Sequence, residues 1–293
     1  MEATKSKVNV DFNYYRKEID SELKLTEKMV DEAIIKHGRL PDAVFDLRAV
    51  LYGLAMEVAG KARAGDLVAM YELIKPKEGE SSVEIASGTG FLTVKLIEWT
   101  NNTVFAVDPS EKQLQILKGI CPQAITIVSN PEDQEIFDYI PVGQIDIVTS
   151  FGGIHHNLHQ RKTFENVAKM LRPGGRFCAA DVADDTILAE HFDKVVSKKC
   201  LTGHNRGAWL SEKRLHELCD GLPLEIIKAE IKPLTWDFES EAEMVLFFKG
   251  LHAYDLPDQE IVKDLRNTLG CKYENGVYKL NWPMLFFEII RKR

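Results

Sequence analysis

The chain lacks the marks of a membrane or secreted protein. No apolar run approaches the roughly 20 residues that a helix needs to cross a bilayer, and no apolar segment of a signal peptide follows the lysine-containing residues 1–10. The 5 cysteines are odd in number and include no C-x-x-C pair, a usage typical of reduced thiols. We therefore expect a cytoplasmic protein with no membrane partner.

Positive charge is scarce as well. The 293 residues include 37 lysines and arginines against 45 aspartates and glutamates, which gives a formal net charge of -8. Non-specific binding to nucleic acid depends on basic side chains that neutralise phosphates. The composition therefore predicts that nucleic acid is not a partner, and it leaves a homodimer open.

The hydrophobic pattern changes along the chain. Apolar residues recur at helical spacing over residues 11–75. Short apolar runs then alternate with helical segments, a pattern that indicates a parallel sheet with right-handed crossovers. These runs lie at residues 82–86, 104–107, 124–128, 145–149 and 176–180. We predict a helical cap or lid over residues 1–75. Residues 76–293 are predicted to form an α/β core, with a substrate-pocket insertion at about 186–236 before the last strands.

The most specific pattern is a glycine turn between a strand and a helix. Gly88 and Gly90 allow the backbone to turn tightly and to approach a ligand without an intervening Cβ. Asp108 ends the next apolar run, where a carboxylate can accept hydrogen bonds from the ribose hydroxyls of an adenosine. The dinucleotide fingerprint G-x-G-x-x-G fits poorly, because Ala86 takes the place of its first glycine. Glu84, inside the strand, is also unusual for a dinucleotide fold.

Each of these residues also has a purely structural interpretation. The two glycines are compatible with an ordinary strand-to-helix turn, and Asp108 with a cap on the helix that begins near residues 110–111. Glu84 is harder to explain in that way, because a lone buried carboxylate is costly without partners.

Five segments in order over residues 80–182 resemble the motifs of class I S-adenosylmethionine-dependent methyltransferases. Glu84-x-Ala86-x-Gly88-x-Gly90 resembles the first motif, and Asp108, followed by Pro109, resembles the acid that binds the ribose. The others are residues 129–133 with Asn130 and Pro131, residues 145–151 with Ser150 and Phe151, and the L-x-P-G-G turn within residues 170–177. Asn130 departs from the pattern, because the family often has Asp there.

The resemblance implies a Rossmann-like fold with a mostly parallel seven-stranded central sheet and S-adenosylmethionine as the cofactor. It implies that the motif residues just named bind that cofactor. Two residues of the cap are added to this set. Tyr15, next to Tyr14, is expected to fold over the cofactor, and Arg63 to pair with its carboxylate, since a guanidinium suits planar anions. The alternatives are packing within the cap for Tyr15 and a solvated helix-end charge for Arg63.

A histidine-rich loop follows the fourth strand, where ligands of α/β sheets usually bind. One interpretation is structural. In the second, which we adopt for the catalytic residues, His155 or His156 is a general base or a donor that orients the substrate. The third is a metal site in which His155, His156 or His159 is joined by a distant ligand such as His204 or His252. Adjacent histidines in a loop rarely point the same way, so we predict no metal here.

The function expected from this resemblance is in-line methyl transfer to a small-molecule acceptor in metabolism or biosynthesis. Enzymes that methylate a flipped base would carry an Asn-Pro-Pro-Tyr or Asp-Pro-Pro-Tyr run at the fourth strand, and this chain has neither. Two alternatives stay open. One is other chemistry on S-adenosylmethionine, such as intramolecular ring closure, and the other is a non-catalytic subunit that binds the cofactor.

Overall fold

The computed structural model describes residues 11–40, 44–204 and 206–293. The first part of the chain is helical. The long helix α1 begins after its N-cap Asp11, whose side chain accepts hydrogen bonds from the amides of Asn13 and Tyr14. The helices here are α1 (Phe12–His37), α2 (Ala49–Ala59) and α3 (Ala64–Ile74), with 3₁₀ turns at Val44–Leu47 and Gly60–Arg63. Among the described residues, no helix is long and apolar enough to cross a bilayer.

Strands and helices then alternate, as the hydrophobic pattern predicted. They are β1 (Ser82–Ile85), α4 (Thr93–Thr100), β2 (Val104–Asp108), α5 (Glu111–Ile120), β3 (Ile125–Val128), β4 (Ile145–Phe151), α6 (Gln160–Met170) and β5 (Leu171–Asp181). Two further 3₁₀ turns lie at Glu135–Asp138 and Ile154–His156.

The chain after β5 begins with helices and ends in strands. Helix α7 (Ile187–His191) continues through a π-helical turn, Phe192–Val196, into the short α8 (Ser197–Lys199). There follow α9 (Glu212–Cys219), β6 (Leu224–Lys232), β7 (Thr235–Phe238), α10 (Glu241–His252), α11 (Asp258–Thr268), β8 (Cys271–Glu274), β9 (Val277–Asn281) and β10 (Met284–Arg291).

Seven of these strands form the central sheet, in the order β3-β2-β1-β4-β5-β10-β6. Neighbouring strands are parallel from β3 to β5. Only β10 runs the other way, antiparallel to both β5 and β6. The predicted Rossmann-like, mostly parallel seven-stranded sheet is therefore confirmed.

The range predicted for the insertion, about 186–236, includes β6 of the central sheet, and further inserted elements lie beyond it. Between β6 and β10 lies a second, three-stranded antiparallel sheet in the order β7-β9-β8, together with α10 and α11. Strands β7 and β8 have only four residues each, and β8 is largely exposed, so neither produces a clear apolar run.

The middle strands of the central sheet are buried on both faces. Alternate side chains of a strand point to opposite faces, so Phe177 of β5 and Phe287 of β10 pack against α6 and α9. Cys178 and Phe286 lie in the opposite cluster, with the helices of the cap and α10. The cap and the inserted helices thus cover one face of the sheet.

Candidate functional site

The glycine turn leaves β1 in a backbone conformation that favours glycine. Ala86, Gly88 and Gly90 have φ angles of 54°, 53° and 89°. A Cβ on Gly90 would lie 2.2 Å from Cδ1 of Leu117 in α5, so only glycine permits this packing. The turn therefore fits closely between β1 and the helix that follows β2.

Asp108 ties that turn to the end of β2. Its side chain is buried, with Oδ2 accepting the amide of Gly88 and Oδ1 the amide of Ser110, both at 2.8 Å. Burial raises the pKa of Asp108 to about 6, and the two amides oppose that shift. The N-cap of α5 is Ser110 rather than Asp108, since the Ser110 side chain accepts the amide of Gln113. Each carboxylate oxygen keeps a second lone pair with which it can bind a further donor.

Glu84 is fully enclosed beneath the glycine turn. Its carboxylate accepts a hydrogen bond from the hydroxyl of Thr93, the first residue of α4. Burial raises the pKa of Glu84 to about 8. Glu84 therefore has a local partner that connects β1 to α4.

Several buried polar atoms at this edge of the sheet have no hydrogen-bond partner in the described part of the chain. They include Oγ of Ser87, Nε2 of Gln113 and Oγ of Ser150. Buried polar groups are normally satisfied, so unpaired ones beside Gly88 and at the end of β4 fit a site that receives a polar ligand. Phe151, at the end of β4, adds an aromatic ring 6.0 Å from that of Phe91.

The remaining predicted adenosine-binding residues lie on the loops after β2 and β3. Pro109 is half-buried directly after Asp108. Asn130 is exposed, and its side-chain amide donates to Asp133 at 3.1 Å. The buried Pro131 accepts a hydrogen bond on its carbonyl from Asn166 at 2.9 Å.

Arg63 is buried, and so it is not the solvated charge of the alternative interpretation. Its Nε donates to Oδ2 of Asp66 at 3.1 Å, and its guanidinium lies 4.0 Å from the ring centre of Phe91. Asp66 also accepts a bond from Nε1 of Trp236 at 2.9 Å. The structure thus places Arg63 beside the glycine turn, with a carboxylate that already offsets its charge.

Tyr15 packs within the cap. Its hydroxyl donates to Glu57 of α2 at 3.1 Å, and its ring lies edge-on to that of Tyr14, 5.3 Å between centres. The prediction that these tyrosines fold over a cofactor stays a prediction.

A different part of the cap, which no sequence motif marks, contacts the site directly. In the 3₁₀ turn after α1, Asp46 accepts hydrogen bonds from the hydroxyl of Ser110 at 2.6 Å and the amide of Lys112 at 3.1 Å. Its neighbour Phe45 lies edge-on to His156, with ring centres 4.9 Å apart. The cap therefore hydrogen-bonds to the start of α5, directly after Asp108.

His155 is buried in the 3₁₀ turn after β4. Its Nδ1 lies 2.5 Å from Oδ1 of Asp181, and its own amide donates to Oδ2 at 3.1 Å. Because a carboxylate accepts a hydrogen from Nδ1, the lone pair of the neutral ring lies on Nε2. That atom is buried and has no partner among the described residues. Asp181 ends β5, and no sequence motif marks it as a site residue.

The histidine turn and the glycine turn touch. A Cβ on Gly153 would lie 2.3 Å from Cβ of Ala86. His156 is half-buried, and its ring centre is 4.1 Å from that of His155. His159 is exposed at the start of α6. The structure thus places His155 and His156 in a turn that contacts the glycine turn. His159 lies outside this candidate site.

The sheet order and this site agree with one family. Residues 83–175 match the sequence model of a family described as a methyltransferase domain. Over these residues the chain is similar to methyltransferase domains. An uncharacterized methyltransferase of Mycobacterium tuberculosis is 30% identical to it over 101 residues, which are 34% of this chain and 39% of that relative. The chain thus aligns with well under half of the relative's length.

Solved structures show the same fold for the methyltransferase domain. A SAM-dependent methyltransferase of Thermotoga maritima aligns with a TM-score of 0.57 and 17% identity, covering 85% of this chain and 99% of its own. A geranyl diphosphate methyltransferase in complex with SAM aligns with a TM-score of 0.53 and 11% identity, covering 82% and 90%. At these identities the likeness is one of fold.

Proposed function

We propose that this protein binds S-adenosylmethionine and transfers its methyl group to a small-molecule acceptor. The observation that carries the proposal is the buried Asp108 carboxylate, held by the Gly88 amide at the end of β2. The unpaired atoms of Ser87 and Gln113 near Gly88, and of Ser150 at the end of β4, support a ligand at this edge of the sheet. The family match over residues 83–175 and the bound SAM of the similar geranyl diphosphate methyltransferase support this choice of ligand.

The residues have separable roles in this proposal. Asp108 and Pro109 hold the ribose, while Asn130 and Pro131 border the adenine. Glu84, Ala86, Gly88 and Gly90 shape the turn beside the methionine end, with Ser150 and Phe151 opposite. Arg63 and Tyr15 are proposed for the carboxylate end. When bound, the cofactor supplies an electrophilic methyl group.

The acceptor is proposed to lie against the histidine turn. The Asp181 carboxylate fixes the ring of His155, so Nε2 is presented as a proton acceptor in a buried space. A general base in this position removes a proton from an acceptor hydroxyl or amine as the methyl transfers. The rings of Phe45, Phe192 and Trp209 surround the histidines and exclude water.

Calorimetry with S-adenosylhomocysteine tests the binding step. Replacing Asp108 by Asn should weaken binding about 10-fold or more, because charge-assisted hydrogen bonds contribute about 1.5–3 kcal/mol. Asp138→Ala is the matched control, since Asp138 is an exposed acid of the neighbouring 3₁₀ turn. Binding of NAD in place of either adenosyl ligand would contradict the proposal.

Product analysis tests the chemistry. The chain is incubated with labelled cofactor and a metabolite extract, and the products are identified by mass. Methyl transfer leaves S-adenosylhomocysteine, whereas ring closure leaves methylthioadenosine. Tight cofactor binding with neither by-product, even in rich extracts, would instead indicate a non-catalytic subunit.

The wider setting is part of the same proposal. We place the protein in the cytoplasm, with residues 1–75 acting as a lid, and leave open whether it works as a homodimer. Limited proteolysis with and without S-adenosylhomocysteine tests the lid, because a lid that closes on the ligand becomes protected.

A further inference from the structure

Three histidines from two loops turn toward one point. His155 and His156 lie in the turn after β4, and His204 lies in the loop between α8 and α9. One side-chain nitrogen from each lies within 4.8 Å of the others. The ring centre of His204 is 5.4 Å from that of His155 and 5.0 Å from that of His156. The neighbouring rings therefore converge, which removes the reason for predicting no metal here.

The backbone holds the two loops together. The amide of Gly207 donates to the carbonyl of His155 at 2.8 Å. A Cβ on Gly207 would lie 2.3 Å from the carbonyl oxygen of Asn157, so glycine is needed for this close approach. Main-chain packing at Gly207 thus holds the loop that carries His204 beside the histidine turn.

The orientation and the unpaired nitrogen atoms of these histidines suit metal ligands. Asp181 accepts from Nδ1 of His155, which is the arrangement that orients metal-binding histidines and makes them more basic. Nε2 of His155 and Nε2 of His204 are both buried without a partner among the described residues. A metal ion would satisfy both atoms.

We propose that His155, His156 and His204 bind one divalent transition-metal ion, with Asp181 orienting His155. Imidazole ligands suit zinc, iron, nickel and copper, and three protein ligands leave a position open for another group. Zn–N bonds of about 2.1 Å place tetrahedral ligand nitrogens roughly 3.4 Å apart, so the nitrogens must approach one another by about 1.4 Å at most. Small side-chain rotations supply this movement.

The ion would lie beside the proposed acceptor pocket. The loop that carries His155 begins at Gly153, which touches Ala86 of the glycine turn. An oxygen or nitrogen of the acceptor is therefore proposed to fill the open coordination position and to release its proton to solvent on binding, because the metal occupies the lone pair of His155. This role rests on the proposed methyl transfer, whereas metal binding itself does not.

Cobalt(II) serves as the probe, because its visible absorption reports coordination by the protein. The untagged full chain is stripped with a chelator and titrated with Co²⁺, and the expected result is one ion per chain that Zn²⁺ displaces. His204→Ala should lower the affinity at least 10-fold. Asp181→Asn should lower it about 10–100-fold, as outer-shell changes do. His159→Ala is the matched control, since this exposed histidine lies in the same loop and should leave the affinity unchanged.

Three outcomes would overturn the metal site. They are an absorption spectrum that does not change with Co²⁺, an affinity that His204→Ala and Asp181→Asn leave intact, and binding lost on His159→Ala. Calorimetry with S-adenosylhomocysteine on every variant separates misfolding from ligand loss. Where His204→Ala fails to fold, His204→Gln replaces it, because its amide fills similar space. Cobalt binding without binding of the adenosyl ligand would reject the proposed function and leave the metal site standing.

Discussion

Gly153→Ala should disturb the contact that joins the two halves of the site. Gly153 has φ -128°, which alanine adopts without strain, so the effect must come from the added methyl group. That methyl would lie 2.3 Å from Cβ of Ala86. Carbon atoms in contact lie about 3.5–4.0 Å apart, so the turns must separate by roughly 1.2 Å or more. Overpacking of this kind costs about 1–3 kcal/mol.

The consequence for function should exceed the loss of stability. A displacement of about 1 Å in a reacting geometry can cost about 100-fold in rate. Urea denaturation measures the stability, calorimetry the affinity for S-adenosylhomocysteine, and by-product formation the turnover. Gly119→Ala is the control, because this exposed glycine of α5 has nothing within 4 Å of its Cβ position.

A second substitution tests whether the clash with Ala86 causes the loss of stability. Ala86→Gly removes the opposing methyl group and suits a φ of 54°. Alone it should be nearly neutral, because relief of about 1 kcal/mol of left-handed strain offsets about 0.5–1 kcal/mol of glycine entropy. Combined with Gly153→Ala it should restore most of the lost stability, a coupling of at least about 1 kcal/mol. The predicted clash would be refuted if Gly153→Ala kept the wild-type urea midpoint, or if the double variant recovered none of the lost stability.

Three further predictions concern acids and the cap. The pKa of Glu84, about 8, exceeds its usual value of 4.5, so the folded state holds a proton that the unfolded state releases. Stability should therefore fall as pH rises from about 5 to 8, and Glu84→Gln should flatten the urea midpoints across that range. An equal slope in both proteins would contradict this. Asp46→Ala removes two bonds to the start of α5 and should cost about 1–3 kcal/mol. Hydrogen exchange at residues 44–48 should then be faster, and unchanged exchange would mean that the cap does not dock through Asp46. Tyr15→Phe loses only its bond to Glu57. The substitution should weaken S-adenosylhomocysteine binding if Tyr15 covers the ligand. An unchanged affinity would mean that Tyr15 only packs within the cap.

The central sheet was predictable because its middle strands are buried on both faces. Such strands appear in the sequence as short apolar runs, and the glycine turn fixes which strand comes first. The three-stranded sheet was not predicted, because β8 exposes its side chains. A local signal was present in Asn275-Gly276, where both φ angles are positive, at 53° and 82°. This pair is the strongest short-range mark of a tight hairpin.

The candidate site was predictable only where its residues follow one another along the chain. Asp108 and the glycine turn are twenty residues apart or fewer, on adjacent strands that the periodicity reveals. Asp181 and His204 reach His155 from other strands and loops, through register and main-chain packing that a single sequence does not display. The direction of the His155 and His156 rings depends on the same packing.

The antiparallel strand β10 also bears on how the chain reaches its folded state. It lies between β5 and β6, yet it is synthesised roughly 100 residues after β5, to which it pairs. Translation proceeds at about 5–20 residues per second. The edge of β5 that later pairs with β10 therefore stays unpaired for several seconds during synthesis. Exposed strand edges recruit other chains. Asp181, at the end of β5, lies on the strand edge that stays unpaired until β10 is synthesised. We therefore expect that slowing synthesis between residues 182 and 284 would increase aggregation of the nascent chain, and that the contact between His155 and Asp181 would be among the last to become rigid.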